Sequence, residues 1–163
     1  MPPRYALAGG PLALGGEVVA GFGRGSRQLG VPTANIPPAS LAAAGRLLPF
    51  GVYFGWAQVE LPADAPAADR GVHKMVMNVG RRPTVNAGGE ESSVELHLLH
   101  PFAADFYGRP LRALVLGHLR PEVRFAGLPQ LLARIRTDVG IARVQLDDPT
   151  WAAHRADPRF RKL

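Results

Sequence analysis

Gly51-Val52-Tyr53-Phe54-Gly55-Trp56-Ala57-Gln58-Val59-Glu60-Leu61 is the stretch on which the fold turns. Val52, Tyr53, Phe54, Trp56 and Val59 are β-branched or aromatic, residue types that fit a pleated and packed surface, and a soft Ala, Pro and Asp connection from Pro62 to Gly71 closes the run. The same signature recurs on both sides. Val72 to Val79, Ser93 to His100 and Leu111 to Arg120 follow downstream, the last with Leu114-Val115-Leu116 at its centre, and Glu17-Val18-Val19-Ala20 is a shorter run upstream. Several strands with no helix between most of them predict an antiparallel barrel or sandwich rather than a parallel sheet.

One helix is expected, and it comes late. Leu128, Leu131, Leu132, Ile135, Val139 and Ala142 recur at spacings of three and four, which predicts a helix from Leu128 to Arg143 packed on the outside of the barrel. Arg134, Arg136, Asp138 and Arg143 are read onto its other side, and Pro129 suits the first turn. The tail from Gln145 to Leu163 is polar, carries Trp151, and receives no assignment.

Composition removes whole classes of chemistry. The chain has 163 residues, the size of one domain, with 19 Gly and 16 Pro, which favours strands and turns over a helix bundle. With no cysteine, thiolate catalysis, disulfides, Cys-ligated zinc and iron–sulfur clusters are excluded. The net charge of +6 comes from dispersed arginine, Lys74 and Lys162 being the lysines, so a nucleic-acid footprint is not indicated. The longest uncharged run, Gln28 to Gly45, is broken by prolines and cannot span a membrane as a helix. No Gly-Lys pair exists, which rules out a Walker phosphate loop.

Three stretches could carry chemistry. Gly21-Phe22-Gly23-Arg24-Gly25-Ser26 is a basic glycine-rich loop, able to offer backbone N–H groups and guanidinium charge to an anion or to serve simply as a hairpin connection. In Pro32-Thr33-Ala34-Asn35 an extended backbone puts Thr33 and Asn35 on one face, where they offer two neutral oxygen donors to a hard cation; a Pro-rich turn would use the same residues. In Val94-Glu95-Leu96-His97-Leu98-Leu99-His100 a lone carboxylate sits among apolar residues, as a buried general base or as a solvent-facing strand residue. His97 and His100 differ in strand parity, which argues against a zinc site.

In order and spelling these stretches resemble the riboflavin kinase (flavokinase) family, closest to its monofunctional eukaryotic type. The matching residues are Gly16-Glu17-Val18-Val19, Gly21-Phe22-Gly23-Arg24-Gly25-Ser26, Leu29 to Asn35, Gly51 to Ala57, Val72 to Val76, Val94-Glu95-Leu96-His97, Asp105-Phe106-Tyr107-Gly108 and Gly117-His118-Leu119-Arg120-Pro121-Glu122. The resemblance implies an all-β-dominated fold, a six-stranded antiparallel closed β-barrel with a C-terminal α-helix. It divides the single domain into an N-terminal extension (1–15), barrel (16–126), helix (127–143) and tail (144–163).

By the same resemblance, the chain transfers the γ-phosphate of ATP to the 5′-hydroxyl of riboflavin, giving FMN and ADP. Glu95 is implied as the base, Thr33 and Asn35 as metal ligands for Mg²⁺, with Zn²⁺ or Mn²⁺ as alternatives. Gly21, Arg27, Leu98, His100 and Tyr107 match nucleotide contacts, and Arg120, Val123 and Phe125 match the flavin side, Val123 through its backbone. Strand parity sets Leu98 and His100 against Glu95, a tension within that set. Pro62 to Gly71 and Arg81 to Glu91 depart from the family's pattern. Bifunctional bacterial relatives fuse this domain behind an adenylyltransferase domain; with residues 1–15 ahead of the barrel, FAD synthesis is not expected. A cytoplasmic monomer meeting small molecules, without nucleic acid or membrane, is the expected working form. The rival is a small basic β-barrel that binds nucleic acid or flavin without catalysis; few exposed aromatics interleave with basic residues, which weighs against nucleic acid.

Overall fold

The computed structural model describes residues 4–19, 33–37, 39–40, 48–83 and 90–161. Six strands, β1 Leu12–Glu17, β2 Thr33–Ile36, β3 Gly51–Val59, β4 His73–Pro83, β5 Glu90–Leu98 and β6 Pro110–Pro121, form one antiparallel sheet in the order β1-β6-β3-β4-β5-β2. Strand β3 is its spine. It pairs with β4 on one side and β6 on the other, and all nine of its residues are buried.

Both faces of β3 are covered, which is why its sequence reads as an unbroken apolar run rather than an alternation. Tyr53, Ala57 and Val59 point into the hollow of the sheet with Leu14, Met75, Met77, Val94, Leu96, Leu98 and Val115. Val52, Phe54 and Trp56 point outward, where Ala142, Leu146 and Trp151 meet them. Gly55 is dictated by packing, because a Cβ there would overlap the carbonyl oxygen of Leu114 on β6.

The outer layer is helix α1, Leu128–Asp147, followed by a short helix α2, Pro149–Ala152, and a 3₁₀ turn, Ala153–Ala156. Helix α1 runs past Arg143 into the stretch assigned to the tail. That tail is docked: Trp56 Nε1 donates to the Trp151 carbonyl at 2.9 Å, and the buried Gln58 amide bonds Arg161 through Nε2 (2.9 Å) and Oε1 (2.8 Å). Asp138, read onto the polar side of the helix, lies on the buried side instead. Its spacings from Ile135 and Ala142 are those of the apolar stripe, which residue polarity masked.

Two expectations are corrected at the sheet's margins. Strand β1 begins at Leu12, inside the stretch assigned to the N-terminal extension, because pairing with β6 overrides the weak strand signal of Gly15 and Gly16. Closure of the barrel is not confirmed: among the described residues the sheet is curled and open. Among the described residues its edges β1 and β2 meet through one isolated bridge, Val19 to Asn35, with Val19 N donating to Asn35 O at 2.8 Å. Also among the described residues, no helix is long and apolar enough to cross a membrane.

Candidate active site

Strand β5 sets Glu95 between two amides. The register places it opposite Asn35 on β2 and opposite Asn78 on β4, and directly opposed residues share a face with Cβ atoms about 5 Å apart. Since Val94 and Leu96 point into the core, all three polar side chains project from the outer face. The row continues through Val52 to Arg120, and the adjacent row holds Thr33, His97 and Val76. Three predicted residues, Thr33, Asn35 and Glu95, are thereby brought together by register alone.

Glu95 is half-buried, and desolvation pushes its carboxyl above the ordinary glutamate range. A base with a raised pKa holds a proton more readily than a solvated glutamate. His97 is buried, with its pKa lowered to about 4 by burial, so the imidazole is neutral; its Nδ1 stands 3.5 Å from Thr33 Oγ1. Among the described residues no group of three or more His, Cys, Asp or Glu could hold a metal ion. The donors that do share a face, the Thr33 hydroxyl and the Asn35 amide oxygen, are hard and neutral. They suit a cation such as Mg²⁺ that completes its shell with phosphate oxygens and water.

The remaining predicted residues divide. Gly21 and Arg27 lie outside the described residues. Tyr107 is 57% exposed, on a turn pinned beside β1 by the Gly108 N–H to Val18 carbonyl bond of 2.8 Å, close to the Val19–Asn35 bridge. Leu98 is fully buried in the core on the face opposite Glu95, so its side chain does not join the row. His100 turns toward the β3–β4 connection: its Nε2 lies 2.7 Å from Asp69 Oδ1, and its ring stacks on His73 at 3.9 Å. At the far end Arg120 joins α1, with Phe125 half-buried under its guanidinium at 5.7 Å and Val123 exposed.

Two residues escaped the sequence reading. Asn78 is the one polar side chain in the run Met75 to Val79, which was its only signal. Glu122 had none. Its Oε1 occupies the space over Gly80, 2.5 Å from where a Cβ would be, with Asn78 Nδ2 3.5 Å from the same point, so Gly80 makes room for a second carboxylate beside the row.

Chemically, this face can take a proton at Glu95 and hold a hard cation beside it, the needs of a small-molecule phosphotransferase. The comparisons with known proteins narrow the class. The model of the flavokinase (riboflavin kinase) family matches residues 8–146. The bifunctional riboflavin kinase/FMN phosphatase of Arabidopsis thaliana is 43% identical over 152 residues, covering 93% of this chain and 38% of that protein. The riboflavin kinase of Mus musculus is 40% identical over 151 residues, covering 93% and 91%. The crystal structure of riboflavin kinase from Trypanosoma brucei superposes with a TM-score of 0.70 at 27% identity, covering 99% of this chain and 92% of that one. The chain belongs to the riboflavin kinase family.

Proposed function

We propose that this member of the riboflavin kinase family transfers the γ-phosphoryl group of ATP to the 5′-hydroxyl of riboflavin, giving FMN and ADP, with Glu95 as general base. The observation that carries the reading is the register row: a desolvated carboxylate flanked by Asn35 and Asn78, with Thr33 one row away. Phosphoryl transfer asks mainly for positioning and charge neutralisation, together with a group to receive the hydroxyl proton. Glu95 receives that proton at a carboxylate oxygen. Burial keeps competing water away and raises its basicity toward that of the task.

Thr33 and Asn35 hold the divalent cation, Mg²⁺ in this reading, which when bound neutralises phosphate charge and orients ATP. Gly21, Arg27, Leu98, His100 and Tyr107 form the nucleotide side, with Leu98 contributing through its backbone because its side chain belongs to the core. Arg120, Val123 and Phe125 form the flavin side. The working unit in this reading is a monomer, since one chain supplies every residue of the row, and its proposed compartment is the cytoplasm.

The test is FMN formation from riboflavin, ATP and Mg²⁺, followed by chromatography with fluorescence detection. Glu95→Gln keeps shape and hydrogen bonding but cannot accept the proton, so kcat falls by about 10²- to 10⁴-fold while both KM values stay near wild type. A wild-type kcat in that variant would remove Glu95 from catalysis; no FMN from the unaltered chain would remove the function.

A further inference from the structure

Helix α1 carries a buried carboxylate where its spacing calls for an apolar residue. Asp138 is 2% exposed, on the side of the helix that also presents Ala142 and Leu146. A carboxylate in such a place is costly unless it is paired, and an apolar residue of similar volume is often as stable, so stability alone does not account for it. What such a pair does supply is fixed geometry.

The pairing is with Arg120. Arg120 Nε lies 3.0 Å from each Asp138 oxygen, Nη2 lies 2.8 Å from Oδ2, and Nη1 donates to the Pro121 carbonyl at 3.2 Å. One turn back along α1, Arg134 Nε stands 3.4 Å from Oδ1 and balances the carboxylate further. The Arg120 side chain is 11% exposed and its guanidinium rests over Phe125, so a normally mobile side chain is held on three sides.

Its place in the sheet gives this meaning. Arg120 shares the register row of Glu95, three strand spacings away, or about 14 Å along the sheet. That span is comparable to an extended ribityl chain together with the tricyclic ring that it carries. A substrate with its terminal hydroxyl at Glu95 would therefore bring its ring within reach of Arg120.

We propose that Asp138 is a positioning residue for riboflavin: by clamping the Nε edge of Arg120 it aims the remaining N–H groups at the ring and so holds the ring at this end of the row. This rests on the functional reading above. Asp138 touches no substrate; it acts through Arg120. Helix α1 thereby belongs to the flavin site as well as to the core.

Riboflavin and ATP are varied separately in the FMN assay, and riboflavin affinity is measured independently by quenching of flavin fluorescence. Asp138→Asn raises the riboflavin KM and Kd about tenfold or more, with the ATP KM and the kcat at saturating riboflavin within about twofold of wild type. The apolar double variant Asp138→Leu/Arg120→Met regains wild-type melting and binds riboflavin no more weakly than Arg120→Met alone, as a carboxylate that acts only through Arg120 requires. Should Asp138→Asn fail to fold, Asp138→Glu keeps the charge but displaces it, and raises the riboflavin KM several-fold.

Equal rises in both KM values, an unchanged riboflavin KM in the folded variant, or full riboflavin affinity in the apolar double variant would each overturn the proposal. An active wild type with an unaffected Asp138→Asn variant removes this role alone; an inactive wild type removes the functional reading with it.

Discussion

His73 gives the fold a measurable sensitivity to acid. It opens β4 stacked on His100 at 3.9 Å, with Phe102 edge-on at 5.4 Å, and its Nε2 is buried without a hydrogen-bond partner. Desolvation is the chief reason its pKa is lowered from 6.5 to about 4; repulsion from His100 and Arg155 adds to it, and hydrogen bonds to the backbone of Ala68 and Asp69 oppose it. Because the folded pKa is depressed, the unfolded chain binds the proton first as pH falls, and stability is lost between pH 6.5 and about 4. At about 1.36 kcal/mol per pH unit the full loss is about 3 kcal/mol. Asp69, which pairs with His100, has its carboxyl lowered by the Ala103 N–H and then by His100, so its own contribution is lost only below the ordinary carboxylate range.

Melting wild type and His73→Phe at about pH 7.5 and about pH 4.8 isolates the group, since phenylalanine keeps the stack and cannot titrate. The wild type should lose about 2 kcal/mol more than the variant over that interval, or about 4 to 8 °C in Tm for a chain of this size. His97 shifts in the same direction but is present in both proteins and cancels. An equal fall in Tm for the two would refute the assignment of acid sensitivity to His73.

Two further outcomes follow from the site and the spine. Thr33→Val and Asn35→Leu each remove an oxygen donor at near-constant shape, so the Mg²⁺ concentration for half-maximal FMN formation should rise while melting changes little; normal activity at low Mg²⁺ in both would reject the pair as ligands. Gly55→Ala drives a methyl into the main-chain carbonyl of Leu114, which cannot yield as a side chain does, and should cost several kcal/mol in a denaturant titration monitored by tryptophan fluorescence, where an unchanged midpoint would contradict the packing.

The sequence was informative where one residue's environment decides its type. The runs at Gly51, Val72, Ser93 and Leu111 appear as β3 to β6 because β3 and β6 are packed on both faces and β4 and β5 turn an apolar face to the core, and the apolar stripe from Leu128 marks α1. It was silent where partners decide. Thr33–Ile36 is a strand because β5 pairs with it, and Leu12–Glu17 because β6 does. The open seam depends on how far the sheet curls, a sum of small twists that no single residue states. Parity put Thr33 with Asn35 on one face, but only register could show that Glu95 stands across from Asn35 and that Asn78 stands across from Glu95.

The seam between β1 and β2 divides the site by protection against local opening. Glu95 stands on a strand with a neighbour on each side, whereas Asn35 stands on a four-residue edge strand held on its far side, among the described residues, by the Val19–Asn35 hydrogen bond. Amide hydrogens near such a margin exchange through small openings, and those along β3 only through larger ones. Glu95, the proposed proton acceptor, is thus preset by the core, while the edge proposed to hold the cation is the part whose order bound Mg-ATP would reinforce. Exchange would therefore slow around β2 when the nucleotide is added, and the amides of β3 would scarcely register it.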